Sequence, residues 1–368
     1  MLKEKQYPEL ILTFTPNTIE HLGVRMYSTA PPVIAELVAN SYDADATEVH
    51  IHLKDKVKKE IVISDNGHGM SFQDINDKFL RIGRNRRTEE ESQTSPKGRK
   101  VIGKKGLGKL SFFGIAQEIE VQTIKDGKKN SFLMRWTDIT KKGDKTKQRD
   151  YAPTILEFDV KNNKPSGTSI ILRSINRVSD FDANTLANSL SKIFITEPDF
   201  KIYVKHNENP DILIDNKRKY SQLEPQVKWN IPKDIDLESQ HNNIKLIKGQ
   251  LLATKKPISP NTHLRGITLF SRKKLVNAPE YFSDSTSSHF FSYLTGWLEV
   301  DFIDDLEEDV IGTNRQSLNW GNKDMIELRK QLQDLLRWLE KDWRKKRSEI
   351  REENIEKTLV RGLRNNSD

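Results

Sequence analysis

Three polar residues along one predicted helix carry the first chemical signal. In PPVIAELVANSYDAD (31–45), Glu36, Asn40 and Asp43 recur at i, i+4, i+7 and so share one stripe. Ile34, Leu37 and Val38 form an apolar stripe on the same helix, and Pro31 and Pro32 suit its first turn, where no backbone N–H is needed. A carboxylate, an amide and a carboxylate in line are costly to bury without partners, so the stripe calls for a polar counterpart. Three other short stretches offer chemistry. ISDNGHGM (63–70) ends an alternating run on Asp65 and then turns through Gly67, His68, Gly69 and Met70. GKKGLGKLS (103–111) crowds Gly103, Gly106 and Gly108 before an apolar segment, a composition that lets backbone N–H groups turn toward an anion. GTSIIL (167–172) opens a strand-like run on a glycine and two hydroxyls.

The elements that must hold these residues follow from periodicity. EVHIHL (48–53) and EIVISD (60–65) alternate as half-buried strands do, joined by the charged turn 54–59. SFQDINDKFLRIG (71–83) reads as a helix capped by Ser71 and stopped by Gly83. IEVQTIKDGKKNSFLMRW, TILEFDV and GTSIILRS read as further strands, with Asp126-Gly127 a hairpin turn. The run 84–106 has many charges and little periodicity, which marks a functional or mobile loop.

At 368 residues the chain predicts two domains. It holds 35% hydrophobic and 31% charged residues and a net charge of +8, a globular, well-solvated balance compatible with either a basic enzyme or a nucleic-acid partner. No cysteine is present, which excludes disulfides, thiolate catalysis and sulfur-ligated zinc. No apolar run approaches a signal peptide or a membrane span, so a cytoplasmic protein without a membrane partner is expected.

In this order and at these spacings, ELVANSYDAD, DNGHGM, GKKGLGKLS and GTS resemble the four motifs of the GHKL ATPase superfamily, which spans gyrase B, the ninety-kilodalton heat-shock chaperone, histidine kinases and MutL. The phrasing is most similar to the MORC and chaperone branches. The resemblance covers roughly residues 10–175 and implies an α+β fold, the Bergerat sandwich of helices on a mixed sheet, with ATP and Mg²⁺ as ligands. It implies that Asn40 holds the Mg²⁺ and that Glu36 activates the attacking water. Asp43 would support the nucleotide and Asp65 would accept from the adenine amino group. Gly67 and Gly69 would let the base approach, Met70 would pack on its ring, and Thr168 would assist at the adenine. Gly103, Lys104, Lys105, Gly106, Leu107, Gly108 and Lys109 would surround the phosphates, and the run 84–109 would be a lid, disordered when empty. His68 is expected at the pocket rim.

After residue 175 the texture changes. RGITLFSRKKLVN (265–277) and GWLEVDFID (296–304) each read as a strand, and ITLFSRKKLVNAPEYF looks like the strand of a transducer domain carrying a basic turn. From Lys323, the residues Met325, Leu328, Leu332, Leu335, Leu339 and Trp343 make a helical seam, expected to dock on its own domain, with a dimer seam the second reading. The domains expected are 1–175 for ATP binding, 176–322 for a smaller α/β domain resembling a transducer, and 323–368 for a C-terminal helix with a basic tail. In the loop DVIGTNRQSLNW (309–320), the resemblance points to Arg315 as a cation for the γ-phosphate. The expected activity is slow ATP hydrolysis driving a clamp that dimerises with ATP bound. It would act on duplex DNA or, in the chaperone manner, on a protein client. A non-hydrolysing nucleotide switch is the remaining alternative, and Glu36 argues against it.

Overall fold

The computed structural model describes residues 29–81, 94–103, 108–139, 151–175, 177–235, 244–283, 287–312 and 315–365. The chain divides into two compact units. The first comprises Met1–Leu190 and Glu197–Ile214, the second Ser191–Thr196 and Asp215–Asp368.

The first unit begins its described part with helix α1, Ala30–Asp43, whose prolines occupy the first turn as expected. Val33, Ile34, Ala35, Leu37, Val38 and Ala39 are all buried along it. Each large aliphatic removed from water contributes on the order of 2 kcal/mol, so this face fixes the helix firmly. Strands β1 (Glu48–Lys54) and β2 (Glu60–Asp65) follow as an antiparallel pair. Their alternation buries Val49, Ile51, Leu53, Ile61 and Ile63 on one face. Ser71 caps the next helical turn in a capping box with Asp74, but the helix widens into a π-turn at Ile75–Phe79. Strands β3 (Ala116–Lys125) and β4 (Lys128–Arg135) are joined through Asp126 and Gly127, both at positive φ, which is the hairpin turn the sequence indicated. β5 (Thr154–Lys161) forms one edge of the sheet and β6 (Gly167–Ile175) lies near its centre.

Helix α2 (Ala183–Ile193) then leads to β7 (Lys201–His206) and β8 (Ile212–Ile214). The resulting eight-stranded sheet has the order β5-β4-β3-β6-β2-β1-β7-β8. It is mixed, because β1 and β7 run parallel. The unit therefore reaches past the boundary expected at 175. A parallel partner needs a crossover, and α2 supplies it. On the polar face, Arg135–Glu118, Arg173–Glu120, Arg173–Glu60 and Lys54–Glu60 form an ion-pair ladder running across five strands.

The second unit holds a five-stranded sheet built from β9 (Pro225–Ile231), β10 (Lys248–Thr254), β11 (Gly266–Ser271), β12 (Lys274–Glu280) and β13 (Leu294–Glu299). Its order is β12-β11-β13-β10-β9. Helix α3 (Lys323–Asn365) lays its seam on this sheet, and Met325, Leu328, Leu332, Leu335, Leu339 and Trp343 join one core with Trp229, Leu251 and Leu298. The seam thus docks on its own unit. Two readings of this half are corrected. RGITLFSRKKLVN is a hairpin, β11 to β12, turning at Arg272 and Lys273. GWLEVDFID leaves the strand at Glu299 and becomes a 3-10 turn at Asp301–Asp304. Among the described residues, no helix is long and apolar enough to cross a membrane.

Candidate functional site

Sheet register brings the expected residues together. Asp65 at the end of β2 pairs with Thr168 on β6, and Thr168 pairs with Thr123 on β3. Three adjacent strands therefore present a carboxylate and two hydroxyls in a row. The Asp65 carboxylate accepts from the Gly67 N–H at 2.9 Å and the Thr168 N–H at 3.2 Å, and from the Ser41 hydroxyl at 2.8 Å. Ser41 belongs to α1, so this bond ties the helix to the strand end. Burial pushes the Asp65 carboxyl upward, against the lowering effect of those three donors. Both N–H groups donate to Oδ1, so Oδ2, which takes only the Ser41 hydroxyl, keeps acceptor capacity for a further donor.

Gly69 sits at φ +68, and a Cβ there would lie 1.9 Å from the carbonyl oxygen of Ile124. Glycine at 69 is thus required by the approach of β3, a reason independent of any base. The Met70 N–H donates to the Thr123 hydroxyl at 2.8 Å, and that hydroxyl lies 3.2 Å from the Thr168 hydroxyl. His68 is exposed, consistent with a rim position. Asn66, between Asp65 and Gly67, is occupied structurally. Its side-chain oxygen accepts from the N–H groups of Thr47 and Glu48 at 2.8 and 3.0 Å, fixing the start of β1.

On α1, Asn40 is exposed and Glu36 half-buried, whereas their apolar neighbours are buried. An amide and a carboxylate one turn apart on an open helical face provide hard oxygen donors. Among the described residues, no group of three or more His, Cys, Asp or Glu could hold a metal unaided. Asp43 has a different place. It is 6% exposed, and its two oxygens accept from the N–H groups of Ile102 and Gly103 at 2.7 and 2.9 Å. The third member of the stripe therefore positions the loop that leads into the glycine-rich segment.

The segment 94–103 is also anchored, in contrast to the structureless run expected over 84–106. Thr94 bridges Lys100, and the Ser95 N–H donates to the Arg99 carbonyl at 2.8 Å. Asp45, 3% exposed, accepts from the Ser95 hydroxyl and from the Lys97 N–H. The Arg99 guanidinium lies 4.8 Å over the Tyr42 ring and donates to the carbonyl oxygens of Ala46 and Asp199. Val101 and Ile102 are buried. The rest of the expected lid, 84–93, lies outside the described residues, as do Lys104, Lys105, Gly106 and Leu107. Gly108 and Lys109 open a 3-10 helix, Gly108–Gly114, in place of an α-helix start, and nothing of the Lys109 side chain is described. Arg315 lies in the second unit at φ +52, half-buried in a loop closed by Gly312 N–H to Ser317 carbonyl at 2.9 Å.

Ser41, Asp45, Arg99 and Thr123 went unrecognised in the sequence. Thr123 had a usable signal, since it falls in the inward phase of Ile119 and Val121. Ser41 had a weaker one, as the neighbour of Asn40 turned toward the apolar side.

Within residues 27–168, a mixed sheet with a helix laid across it, and with the Asp65 carboxylate, the DNGHGM turn and the Thr168 strand assembled at one end, has the arrangement of a GHKL-type domain. Residues 27–168 match the family described as histidine kinase-, DNA gyrase B-, and HSP90-like ATPase. HgiDII of Herpetosiphon aurantiacus, named as a candidate type II restriction enzyme, is 32% identical over 358 residues, covering 92% of this chain and 57% of that protein. The chaperone protein HtpG of Wolbachia pipientis wMel is 28% identical over 247 residues, 59% of this chain and 34% of its own length. HtpG of Vesicomyosocius okutanii is 27% identical over 244 residues, 59% of this chain and 37% of that protein. The chain thus spans a little over half the length of the first relative and about a third of the other two.

Proposed function

We propose that this chain is a Mg²⁺-dependent ATPase that works as an ATP-gated clamp on DNA. The observation that carries the reading is the open polar face of α1, where Glu36 and Asn40 stand one turn apart on a helix tied through Ser41 to Asp65. Asp65, held by Gly67, Thr168 and Ser41, receives the adenine amino group, with Thr168 and Met70 beside the base. Asn40 holds the Mg²⁺, which when bound would neutralise charge on the triphosphate. Glu36 orients a water and takes its proton as the oxygen attacks the γ-phosphorus. The bond from that phosphorus to the ADP oxygen breaks, and ADP and phosphate leave. The glycines at 106 and 108 direct N–H groups to the phosphates, with Lys104, Lys105, Leu107 and Lys109 around them, and Gly103, its N–H held by Asp43, lets the backbone lead into that turn. Arg315 is assigned to the developing charge on the γ-phosphate.

Dimerisation with ATP bound is part of this reading. It is supported by the edge strand β5, whose Ile155, Leu156, Phe158 and Val160 are all exposed. DNA as the target is supported by the net charge of +8 and by the relative named for a restriction enzyme, which matches along 92% of this chain. A protein client is favoured by the chaperone names of relatives that match a smaller share of it.

The test is ATP binding and turnover with Mg²⁺, with and without duplex DNA. Glu36→Gln keeps ATP binding and loses turnover by roughly 10²-fold or more, the usual scale for a lost general base. Arg315→Ala lowers turnover with binding retained, and wild-type turnover in that variant removes Arg315 from the mechanism. Equal turnover in wild type and Glu36→Gln refutes the assignment of the base. ATP binding by a wild type that never hydrolyses identifies a nucleotide switch.

A further inference from the structure

The second unit carries a groove that the ATP site does not use. It runs between the 3-10 turn His289–Ser292, Gln226 of β9 and one face of α3 from Trp343 to Ile355, and encloses about 960 Å³. Between residues 340 and 356 the helix bears six carboxylates, Glu340, Asp342, Glu349, Glu352, Glu353 and Glu356. None of them lines the groove, whereas Arg344, Arg347 and Arg351 do. The groove face of the helix therefore carries three arginines and no carboxylate, while the carboxylates and the lysines of this stretch lie off it.

The ion pairs follow the same division. Lys346 pairs with Asp342 at 2.7 Å and Lys357 with Glu353 at 3.4 Å, both off the groove. Arg347 and Arg351 pair with no carboxylate among the described residues. Arg344 is tethered by Glu340, which also accepts from the Ser288 hydroxyl at 2.6 Å. Arg347 sits 4.9 Å over the Trp343 ring and 5.0 Å over that of Tyr293, so its guanidinium is pre-placed on an aromatic base. The apolar part of the lining comes from Phe290, Ile350 and Ile355.

Arginines on an aromatic and apolar floor are the means by which a protein tracks a nucleic-acid strand without reading its sequence. From residue 344 to 351 the helix rises about 10 Å. One strand presents a phosphate about every 3.4 Å of duplex axis, so the three guanidiniums match about three successive phosphates.

We propose that this groove holds the phosphodiester backbone of one strand of a nucleic acid. The proposal rests on the reading of DNA as the target and names where the chain would hold it. Contacts of this kind are independent of sequence and weaken steeply with salt.

The test is fluorescence anisotropy of a labelled short duplex with the full chain, between about 50 and 200 mM salt. Arg344 and Arg351 are both exposed, so a double variant Arg344→Ala/Arg351→Ala keeps the fold, and an unchanged denaturation midpoint by the fluorescence of Trp229 and Trp343, in the core of this unit, verifies it. Removing two phosphate contacts lowers the slope of log affinity against log salt by about 1.8, and affinity at moderate salt falls roughly tenfold or more for every sequence. Arg347→Lys keeps the charge but loses the stacked plane, and weakens binding a few-fold. Wild-type affinity and slope in the double variant overturn the groove assignment and leave DNA as the target. Failure of the wild type to bind duplex or single strand at low salt removes both, while ATP turnover in the same preparation still reports on the first unit. Binding of polyglutamate by the wild type, lost in the double variant while no oligonucleotide binds, makes the groove a protein site and overturns the proposal.

Discussion

Substituting Asp43 distinguishes a loop anchor from a nucleotide ligand. Its buried carboxylate accepts from the Ile102 and Gly103 N–H groups at 2.7 and 2.9 Å, both charge-assisted bonds. Each contributes about 1.5 kcal/mol or more, and Asp43→Ala leaves at least the Ile102 N–H buried without its acceptor. The two bonds together set about 3 kcal/mol on the local opening of this loop. At 1.4 kcal/mol per factor of ten, that is a rise of roughly 10²-fold in amide exchange across 101–103. Hydrogen exchange read by mass spectrometry on the peptide spanning 99–104 measures it directly, in the absence of ATP. The exchange of β1 and β2, which these two bonds do not involve, stays within a few-fold of wild type. ATP affinity falls as well, because the released loop must be ordered again on binding. Unchanged exchange at 101–103 alongside a large loss of ATP affinity would refute the anchor and return Asp43 to the nucleotide.

Two further outcomes follow from the same geometry. Gly69→Ala places a Cβ 1.9 Å from the Ile124 carbonyl oxygen at a positive φ, so the turn after β2 must lift off the end of β3; a loss of about 2 kcal/mol or more is expected by chemical denaturation, with ATP affinity reduced. Asp55 is held at about 2: burial raises its carboxyl, but the Phe181 N–H, Asn207 and His206 outweigh that and lower it. A depressed carboxyl contributes stability that is complete above its unfolded value near 3.8 and is lost as pH falls toward 2. Wild type therefore loses more stability than Asp55→Asn between about pH 4 and pH 2, and equal pH profiles of the melting temperature would remove the argument.

Local pattern carried most of the first unit. The stripe on α1 was legible because helical spacing and chemistry agreed, and the strands because their alternation matched the buried face. What the sequence hid were the uses of individual polar groups. Asp43 and Asp45 look alike as members of a polar run, yet both turn inward to hold backbone N–H groups of residues 97–103, about fifty positions downstream. Periodicity reports which face a residue occupies and says nothing of a partner so distant in the chain. For the same reason the charged segment 94–103 read as structureless. Its order comes from Asp43, Asp45 and the Tyr42 ring, none of which it contains.

The turn between β11 and β12 shows the same limit more sharply. Arg272 and Lys273 both take positive φ, at a cost of about 1–2 kcal/mol each for a residue with a Cβ, and nothing in FSRKKL carries a turn signature. The compensation lies in the acidic run that follows β13. The Arg272 N–H donates to Asp301 at 2.6 Å, its guanidinium to Asp305 at 2.8 Å, and Lys273 pairs with Glu299 at 2.7 Å. Arg272 is 3% exposed and Asp304 fully buried, so neither charge is tolerable without the other. A hairpin whose turn is specified by charges some thirty residues away reads as one continuous strand until those charges are placed. The acidic run is pulled out of its strand phase in return, which is why GWLEVDFID ends as a 3-10 turn. Each misreading is the other's cause, and the buried ion cluster that links them is the interaction that fixed both.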